Sequence, residues 1–484
     1  MANQSSLHTE LFIDGAWKQT RERGQVRNKF TGEIFSEFAC ASAEDVEAAV
    51  AAAIKGSSVM AEMPLYRRAE ILRRTSELLL AHKEEIAICI AKEGGKPLKF
   101  ARLETDRAVD TFRLASEEAG QIHGETIPID AVKSGEGLFG FWQRRPVGVV
   151  GAITPFNFPL NLVAHKVAPA LAAGNSVVLK PAEITPLTAG LLCSLLTEAG
   201  LPAGALNLVH GPGETVGDRL VRHRGVNKIT FTGSAAVGRS ILAAAGIKKV
   251  TLELGNNSPV VIAADADLKL AAAKCALGAN YHSGQVCIST QRIYIQVSVY
   301  DEFRERLRSE VERLIVGDPL DETVDVGPLI DVKEADRVMS WIAEARSQGA
   351  TLLHGGRRER ALVWPMLVEN VNPQMKIVCQ EVFGPVASLI RCESFEEALR
   401  QADDTEYGLQ AAIFTRDIDR ILSGIKALHF GGVIVNDAPH LRPDMIPYGG
   451  NRQSGLGREG LRFAIEEMTN IQTVMIRTKP AFKG

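Results

Sequence analysis

The sequence has no closely paired cysteines. Its seven cysteines are scattered, odd in number and never spaced as C-x-x-C; they are Cys40, Cys89, Cys193, Cys275, Cys287, Cys379 and Cys392. Zinc clusters of the usual spacing need such pairs, and a disulfide framework needs an even set. We therefore predict no metal site, thiols that are mostly small buried hydrophobes, and a reducing, cytoplasmic environment.

Long apolar runs and a strong charge of either sign are also missing. The chain contains no stretch of about 18 uninterrupted apolar residues, as a membrane-spanning helix would need. The opening segment, MANQSSLHTELFIDGAW, has no basic stretch followed by an apolar run, so we expect no export signal. With 55 basic and 58 acidic residues the net charge is −3, which argues against nucleic acid or a membrane surface as a partner.

Strand-like and helix-like segments alternate through the middle of the chain. The apolar, β-rich runs cover residues 147–154, 176–181, 206–211, 228–233 and 250–254. Helical patterns between them cover residues 160–173, 188–199, 215–223 and 235–245. Short strands that are apolar on both faces and alternate with helices are typical of a parallel sheet covered on both sides. Such sheets bind ligands at the carboxyl ends of their strands.

The flanking segments extend this α/β pattern. A chain of 484 residues is long enough for two to four domains, and a second strand–helix series from about residue 258 to about 428 predicts a second α/β domain. Near the start, LFIDGAW predicts a hairpin around Asp14 and Gly15, and Ser42 with Asp45 forms a capping-box signal. The closing strand, residues 473–478, has no obvious partner within a finished domain, so we expect it to pair with another subunit.

Two motifs at predicted strand ends suit parts of a dinucleotide. Gly233 and Ser234 follow a strand and open a helix, whose free N–H groups suit a phosphate. The spacing to Gly238 is not G-x-G-x-x-G, so a plain structural turn is an equally good interpretation of this motif. In KPAE, Lys180 and Glu183 can both hydrogen-bond ribose hydroxyls, although a surface ion pair would give the same pattern.

Three further residues have the chemistry of an acyl-transfer site. Cys287 lies among small residues in SGQVCIS, and a thiolate is a strong nucleophile and a good leaving group, although a buried inert thiol is the better interpretation of that motif alone. Glu253 lies between apolar neighbours, where desolvation raises the pKa of a carboxyl group and suits a general base. Asn157 lies in the apolar turn TPFNFP, where its amide is costly to bury unless it donates, for example to an oxyanion.

Taken together and in order, the motifs identify a family. They are TPFNFP, KPAE, FTGS, LELG, GQVC, EVFGP, EYGL and PYGGNRQSGLGREG. The chain resembles the aldehyde dehydrogenase superfamily over nearly its whole length, most closely the lactaldehyde and non-phosphorylating glyceraldehyde-3-phosphate dehydrogenase branch. The resemblance implies an α/β fold with a Rossmann-type parallel-sheet cofactor domain (residues 1–122 and 147–254), a second α/β catalytic domain (255–452) and a small β oligomerisation arm (123–146 and 465–484).

The resemblance also implies roles for individual residues. Cys287 matches the nucleophile, Glu253 the base that activates water for deacylation, and Asn157 the oxyanion donor. Lys166 and Glu459 match polar residues of a proton relay near the base. The implied partners are a small aldehyde and further copies of the chain. The implied cofactor is NAD, with NADP also possible, and the matching cofactor-site residues are Thr154, Pro155, Phe156, Lys180, Glu183, Gly233, Ser234, Leu254, Gly255, Glu381 and Phe383.

Polar residues stand where members acting on apolar aldehydes carry apolar or aromatic ones. Arg107, His165 and Arg442 match positions of the family's substrate tunnel. We expect them to bind a short aldehyde with a hydroxyl or anionic group, such as lactaldehyde, a sulfo- or phospho-aldehyde, or a small semialdehyde. The alternative is that Arg107 pairs with Glu104 and Arg442 with Asp444 as solvated ion pairs, in a broad-specificity enzyme for neutral aldehydes.

The chain departs from the family pattern without losing a catalytic group. Asn256 replaces a glycine, and we expect a left-handed backbone there, which asparagine tolerates. The phosphate-binding branch carries an arginine where Val286 stands here, which weakens the match to a phospho-aldehyde. Glu253 argues against the acylating branch that hands its thioester to coenzyme A, and an intact site argues against a non-catalytic structural or binding protein.

Overall fold

A tight hairpin begins the folded chain. The computed structural model describes residues 8–478. Strands β1 (Leu11–Ile13) and β2 (Ala16–Lys18) pair antiparallel across Asp14 and Gly15, whose φ angles are 54° and 79°. Two successive left-handed residues are the requirement of a type I′ turn, so the predicted hairpin is confirmed.

Four helices and a second hairpin follow. The hairpin is β3 (Arg23–Arg27) and β4 (Ile34–Ala39), and the helices are α1 (Ala43–Glu62), α2 (Leu65–Ala81), α3 (Lys83–Gly94) and α4 (Leu98–Ala119). The predicted capping box is present, because Ser42 accepts from the Asp45 backbone and Asp45 accepts from the Ser42 backbone. Helix α3 was not predicted, since only His82 separates it from α2.

The first large sheet contains the five predicted strands. Strands β5 (Glu125–Ile127) and β6 (Leu138–Pro146), which come first in the chain, belong to a smaller sheet. The parallel part of the large sheet consists of β7 (Val149–Ile153), β8 (Ser176–Lys180), β9 (Leu206–Leu208), β10 (Lys228–Thr232) and β11 (Lys249–Glu253). The covering helices are α5 (Asn161–Ala172), α6 (Leu187–Glu198), α7 (Asp218–Arg222) and α8 (Ala235–Ala245). All residues of β7, β8 and β10 are buried, which confirms a sheet covered on both faces.

The second large sheet is also mostly parallel and confirms the α/β class. Its strands lie in the order β14, β17, β18, β13, β12, β19, β20, with bounds β12 (Pro259–Ile262), β13 (Arg292–Gln296), β14 (Thr351–His354), β17 (Met366–Glu369), β18 (Val386–Cys392), β19 (Gln410–Phe414) and β20 (Gly432–Val435). A separate hairpin is β15 (Arg358–Glu359) and β16 (Leu362–Val363). The helices are α9 (Leu268–Asn280), α10 (Tyr300–Glu312), α11 (Val332–Ser347), α12 (Lys376–Cys379), α13 (Phe395–Asp403) and α14 (Ile418–Ala427).

The C-terminal segment returns to the first half of the molecule. Strand β21 (Gly455–Leu456) adds to β11, helix α15 (Leu461–Glu467) follows, and β22 (Thr469–Arg477) pairs with β6 along its full length. The expectation that the tail strand has no partner within the chain is therefore wrong. Local pattern did not identify this partner because β6 lies far away in the sequence, although the family resemblance groups both segments in one β arm. Within residues 8–478, no helix is both long and apolar enough to cross a membrane.

Candidate active site

The order of the first sheet creates a crevice at its carboxyl edge. The strand order is β9, β8, β7, β10, β11, so the chain leaves β7 to one side and reaches β10 on the other. Ligands of open α/β sheets bind at such a switch point. Thr154 follows β7 and Gly233 follows β10, so the two predicted cofactor segments lie side by side at this crevice.

Helix α8 presents its N-terminus to the crevice. Ser234 is its N-cap, and its hydroxyl accepts from the backbone N–H of Val237 at 3.3 Å, which leaves earlier N–H groups of the first turn for an anion. A side chain at Gly233 would overlap the Phe231 ring, and one at Gly238 would lie 2.6 Å from Leu254 Cδ2. These glycines allow the close packing that a phosphate-binding turn needs, so the motif fits a pyrophosphate.

Lys180 and Glu183 lie at the carboxyl end of β8. Lys180 Nζ is 3.8 Å from Glu183 Oε1, and the lysine is buried while the carboxylate side chain is 40% exposed. Burial lowers the pKa of Lys180. A lysine held inside the crevice with an accessible carboxylate beside it is not a solvated surface pair, and this arrangement suits ribose hydroxyls.

A second carboxylate comes from the segment between α12 and β18. Glu381 Oε1 accepts from the backbone N–H of Asn256 at 3.0 Å, and burial raises the pKa of Glu381 to about 7. A side chain at Gly255 would overlap this carboxylate. The ring of Phe383 meets Phe156 edge-on, with centroids 5.8 Å apart. Asn256 has no positive φ, so the expected left-handed backbone is wrong; its backbone N–H holds Glu381 instead.

Cys287 lies beyond a strained loop. Three residues in a row, His282, Ser283 and Gly284, have left-handed φ angles of 48°, 58° and 72°. Such backbone persists only where its surroundings hold it. Ser283 donates to the Gly327 carbonyl at 2.8 Å, and Gln285 Oε1 accepts from the Ile330 backbone at 2.8 Å. Hydrogen bonds to the Gly327–Ile330 segment therefore hold this loop in its conformation.

The thiol of Cys287 is partly exposed and lies beside a tyrosine. Its Sγ is 3.2 Å from the Tyr448 hydroxyl. Burial raises the pKa of Cys287 to about 11, so the thiol is protonated at neutral pH before a reaction begins. Apolar side chains pack around it and form the walls of the site: Phe158, Leu162, Val286, Ile288, Leu409 and Tyr448.

Asn157 contacts the nucleophile loop directly. Its Nδ2 donates to the Gln285 carbonyl at 2.8 Å, two residues before Cys287. A side-chain amide carries two N–H bonds, so one remains for an oxyanion formed at the thiol. The structure therefore brings the predicted nucleophile and the predicted oxyanion donor together, although their positions in the sequence are far apart.

Glu253 ends β11 as a buried carboxyl group. Within the described residues neither of its carboxylate oxygens has a hydrogen-bond partner, and Gly449 packs against it. Burial, and after it the charge of Glu459, holds the pKa of Glu253 well above its usual range. An unpartnered carboxyl group with a raised pKa has the properties of a general base.

Glu459 joins two cations behind Glu253. Lys166 Nζ lies 2.7 Å from Glu459 Oε1, and Arg442 Nη2 lies 2.9 Å from Oε2. The Arg442 guanidinium also stacks on the Tyr448 ring, with Cζ 3.5 Å from its centroid. Arg442 therefore does not pair with Asp444 as a solvated ion pair. No acceptor in the described part of the chain lies within hydrogen-bond distance of its buried Nε.

Asp444 contacts the other two predicted substrate residues, Arg107 and His165. It accepts from Arg107 Nε at 3.1 Å and Nη2 at 2.6 Å, from Asn161 Nδ2 at 3.1 Å, and it lies 2.7 Å from His165 Nε2. The alternative interpretation, in which Arg107 pairs with Glu104, is therefore not found. Glu104 instead pairs with Lys96 and accepts from the backbone at the start of α5.

Tyr448 is a site residue that sequence reasoning did not single out, and Asp444 was named only as a possible partner of Arg442. Tyr448 lies inside the motif PYGG, and Asp444 lies two positions after Arg442, so both had a signal nearby. Their roles depend on contacts across the fold, since Asp444 is 337 positions from Arg107. No periodicity in the sequence reports such a contact.

Comparisons with known proteins identify the family of the chain. The model of the aldehyde dehydrogenase family matches residues 17–474. A 3-sulfolactaldehyde dehydrogenase of Priestia aryabhattai is 44% identical, covering 96% of this chain and 97% of its own. A lactaldehyde dehydrogenase of Methanocaldococcus jannaschii is 42% identical, covering 96% of this chain and all of its own.

A solved structure shows the same architecture. Glyceraldehyde-3-phosphate dehydrogenase GapN from Methanocaldococcus jannaschii, complexed with NADP, superposes with a TM-score of 0.91 at 41% identity, covering 95% of this chain and 100% of that chain. The family match spans almost all of the sequence, and the fold agrees with it over the same range. The chain therefore belongs to the aldehyde dehydrogenase family.

Proposed function

We propose that this enzyme oxidises a short, hydroxylated aldehyde with one negative charge to the carboxylic acid, with NAD(P) as cofactor. The observation that carries the proposal is the buried guanidinium of Arg442. It stacks on Tyr448, which lies beside the nucleophile, and its Nε–H has no acceptor among the described residues. A guanidinium fork suits a sulfonate, carboxylate or hydroxyl oxygen. The names of the sulfolactaldehyde and lactaldehyde relatives support a substrate with a hydroxyl group.

The proposed chemistry begins at the thiol. Glu253 removes the proton of Cys287, the thiolate attacks the aldehyde carbon, and Asn157 with the Cys287 backbone N–H stabilises the oxyanion. NAD(P)+, held by the crevice residues when bound, accepts the hydride that leaves the thiohemiacetal. The resulting thioester on Cys287 is hydrolysed by a water molecule that gives its proton to Glu253, and the acid departs.

Charge balance supports a monoanion over a dianion. Two cations near the site are already matched by carboxylates; these pairs are Arg107 with Asp444 and Lys96 with Glu104. Glu459 pairs with both Lys166 and Arg442, so these three side chains and a protonated Glu253 together carry one net positive charge. A single charge suits a sulfonate or carboxylate better than a phosphate dianion, in keeping with Val286 at the position where the phosphate branch has an arginine.

Arg442→Leu tests the anion pocket. Losing a charge-assisted hydrogen bond costs about 1.5–3 kcal/mol, which corresponds to a rise in KM for an anionic aldehyde of roughly tenfold or more. The KM for propanal, a neutral aldehyde, should change little. Both KM values are measured by NADH absorbance, with Arg462→Leu as the control because Arg462 is 67% exposed and pairs only within α15.

The wild-type substrate panel separates the competing functions. Preference for long alkyl aldehydes, or equal responses of anionic and neutral substrates to Arg442→Leu, would replace the proposal with a broad-specificity enzyme for neutral aldehydes. NADH formation that requires coenzyme A would indicate the acylating branch. No NADH with any aldehyde would indicate a structural or binding protein.

The exposed Glu183 bears on cofactor choice. Its carboxylate can accept hydrogen bonds from the adenosine ribose and repels a 2′-phosphate, so we expect a higher kcat/KM with NAD than with NADP. The GapN structure contains NADP, so family membership alone does not decide the preference. Glu183→Gln should reduce the ratio of kcat/KM with NAD to kcat/KM with NADP. Wild-type enzyme with the higher kcat/KM on NADP would refute this role of Glu183.

We propose that the chain has three parts: a cofactor domain (residues 1–122 and 147–254), a catalytic domain (255–452) and an arm (123–146 and 465–484). We propose that the arm joins the chains in a homo-dimer or homo-tetramer. Exposed apolar side chains on β22 support a subunit contact: Ile471, Met475 and Ile476. Removing residues 473–484 should give monomeric or inactive protein by size-exclusion chromatography and assay. An active, stable monomer would contradict the proposal.

We also propose a cytoplasmic location. All seven cysteines lie in the described part of the chain and none forms a disulfide. The nucleophile Cys287 is among them, and its chemistry requires a reduced thiol. A reducing compartment keeps such thiols free. Localisation of a tagged full-length chain by microscopy or cell fractionation tests this placement.

A further inference from the structure

The turn that carries Glu183 is fixed at both of its ends. It begins after Lys180, the last residue of β8, and ends at helix α6. The buried carboxylate of Glu93 holds the start of that helix, because it accepts from the Leu187 backbone at 2.8 Å and from the Thr188 backbone at 3.0 Å. Glu183 lies between these two ends, so its position depends on what holds the centre of the turn.

A lysine from a distant part of the chain holds that centre. Lys29 lies in the loop between β3 and β4, and its Nζ donates to the Ile184 carbonyl at 3.1 Å, 155 positions away in the sequence. Within the described residues this is the only hydrogen bond of the Lys29 ammonium group. Because Ile184 directly follows Glu183, the contact acts on the peptide next to the proposed ribose ligand.

The loop that carries Lys29 is itself closed by hydrogen bonds. Asn28 Oδ1 accepts from the Phe30 backbone at 2.9 Å and from the Thr31 backbone at 3.1 Å, and the Asn28 carbonyl accepts from the Gly32 backbone at 2.7 Å. An asparagine that binds its own backbone in this way stabilises a tight turn. The backbone of Lys29 is therefore fixed, although a lysine side chain is flexible.

The same loop packs beside the segment that holds the nucleophile loop. Gly95 caps α3 with a φ of 70°, and a Cβ there would lie 3.1 Å from Lys29 Cβ and 3.0 Å from Pro328 Cγ. A left-handed φ with so little space favours glycine. Pro328 belongs to the segment of residues 327–330, whose hydrogen bonds hold the backbone before Cys287. Lys29 therefore lies where the Glu183 turn meets the support of the nucleophile.

We propose that Lys29 is a positioning residue for the cofactor, which fixes the Glu183 carboxylate through the Ile184 carbonyl. This inference rests on the proposed function, in which Glu183 binds the adenosine ribose. A carbonyl that accepts from a fixed ammonium group cannot rotate freely, so the neighbouring Glu183 side chain keeps one orientation. The turn is thus formed before the cofactor arrives, and binding does not have to order it.

The charge of Lys29 decides how strongly it holds the turn. Burial lowers the pKa of Lys29 to about 8; the charges of Glu93 on α3 and Asp331 at the start of α11 oppose this lowering, and Arg27 on β3 adds to it. Burial raises the pKa of Glu93 to about 7, so this carboxylate is ionised while Lys29 titrates. Since a charged donor forms the stronger hydrogen bond, the contact with Ile184 should weaken as the pH rises through about 8.

Lys29→Met tests the proposal by its effect on cofactor binding. We expect the Kd for NAD, measured by isothermal titration calorimetry, and the KM for NAD to rise about tenfold, as for one lost hydrogen bond to a charged group. The kcat and the KM for the aldehyde should stay within about twofold of wild type. Lys99→Met is the matched control, because Lys99 pairs with Asp325 at 2.6 Å and does not contact the turn.

Two half-cofactors locate the effect. AMP contains the adenosine ribose, so its Kd should rise in Lys29→Met by about the same factor as that of NAD, whereas the Kd for nicotinamide mononucleotide should not change. Glu183→Gln removes the group through which Lys29 acts. Adding Lys29→Met to Glu183→Gln should therefore raise the Kd for AMP little further. Additive effects of the two substitutions would overturn the positioning of Glu183 by Lys29.

Lys29→Arg supplies the rescue and the pH profile. A guanidinium group keeps its charge throughout the assay range, so this variant should bind NAD nearly as well as wild type near pH 7. Between about pH 7 and 9 the Kd for NAD should rise more steeply in wild type than in Lys29→Arg. Lys180, whose pKa is also lowered by burial, is present in both proteins and does not account for the difference.

The remaining outcomes contradict either the positioning role or the proposed function. An unchanged Kd for NAD in Lys29→Met, or parallel pH profiles of wild type and Lys29→Arg, would overturn the role of Lys29. A lower Tm with losses of kcat and of affinity for both half-cofactors would show a general structural defect and overturn it as well. If Lys29→Met does not fold, the pH profile of Lys29→Arg decides. A wild-type protein that binds no NAD(P) would refute the proposed function instead.

Discussion

Cys287→Ala is expected to fold normally and to lose dehydrogenase activity by at least about a thousandfold, because no thioester can form. The thiol is partly exposed, and its removal leaves the apolar walls of the site in place. Circular dichroism and thermal unfolding check the fold, and NADH absorbance measures the activity. The effect should be the same with anionic and neutral aldehydes, since the nucleophile acts on every substrate.

Other cysteines supply the matched controls. Cys193→Ala removes a buried thiol from helix α6, and Cys379→Ala removes an exposed one. Burial raises the pKa of Cys193 well above its usual range, so this thiol is inert. Both variants should keep most of their activity. If Cys287→Ala kept a tenth of the wild-type rate, a covalent mechanism would be wrong.

Glu253→Gln is expected to lower steady-state turnover by roughly 10²–10⁴-fold, the range for loss of a general base. An NADH burst should persist, since glutamine does not prevent the thiol from attacking once it ionises. The burst should be slower than in wild type, because the pKa of Cys287 is about 11 and the thiol begins protonated. Stopped-flow absorbance separates the burst from turnover.

The pH dependence of that burst has a defined sign. Without the base, only the ionised fraction of Cys287 reacts, and this fraction rises about tenfold per pH unit below the pKa of the thiol. The burst rate of Glu253→Gln should therefore rise with pH over the neutral and mildly alkaline range, more steeply than in wild type. A burst that is fast and flat with pH would show that another group ionises the thiol.

Much of the fold follows from local pattern. Alternating apolar runs and helical segments predicted the parallel sheets, and Asp14 with Gly15 predicted the hairpin turn. Helix α3 was missed, because a break of a single residue leaves no turn signal. The partner of β22 was also missed, since strand pairing between distant segments depends on the whole fold and not on either strand's composition.

The site also has features that the sequence identified and contacts that only the structure shows. The motifs around Cys287, Glu253 and Asn157 are ambiguous one by one and indicate the chemistry only together with the other motifs. The fold then brings Asn157 to the nucleophile loop. The alternative interpretation paired Arg107 with Glu104 and Arg442 with Asp444, whereas the structure pairs them with Asp444 and Glu459. Charge and spacing favour partners nearby in sequence, whereas burial lets a guanidinium reach a carboxylate on another segment.

The Asp444 cluster restricts how this enzyme can acquire a new substrate. Arg107, Asn161 and His165 all meet one buried carboxylate on the loop that carries Arg442. A change of Arg107 alone would leave Asp444 without its main counter-charge, and an unpaired buried charge costs about 3–5 kcal/mol. Substitutions that adapt the proposed substrate tunnel to an apolar aldehyde must therefore arrive as a set, so single mutations cannot easily change the proposed preference.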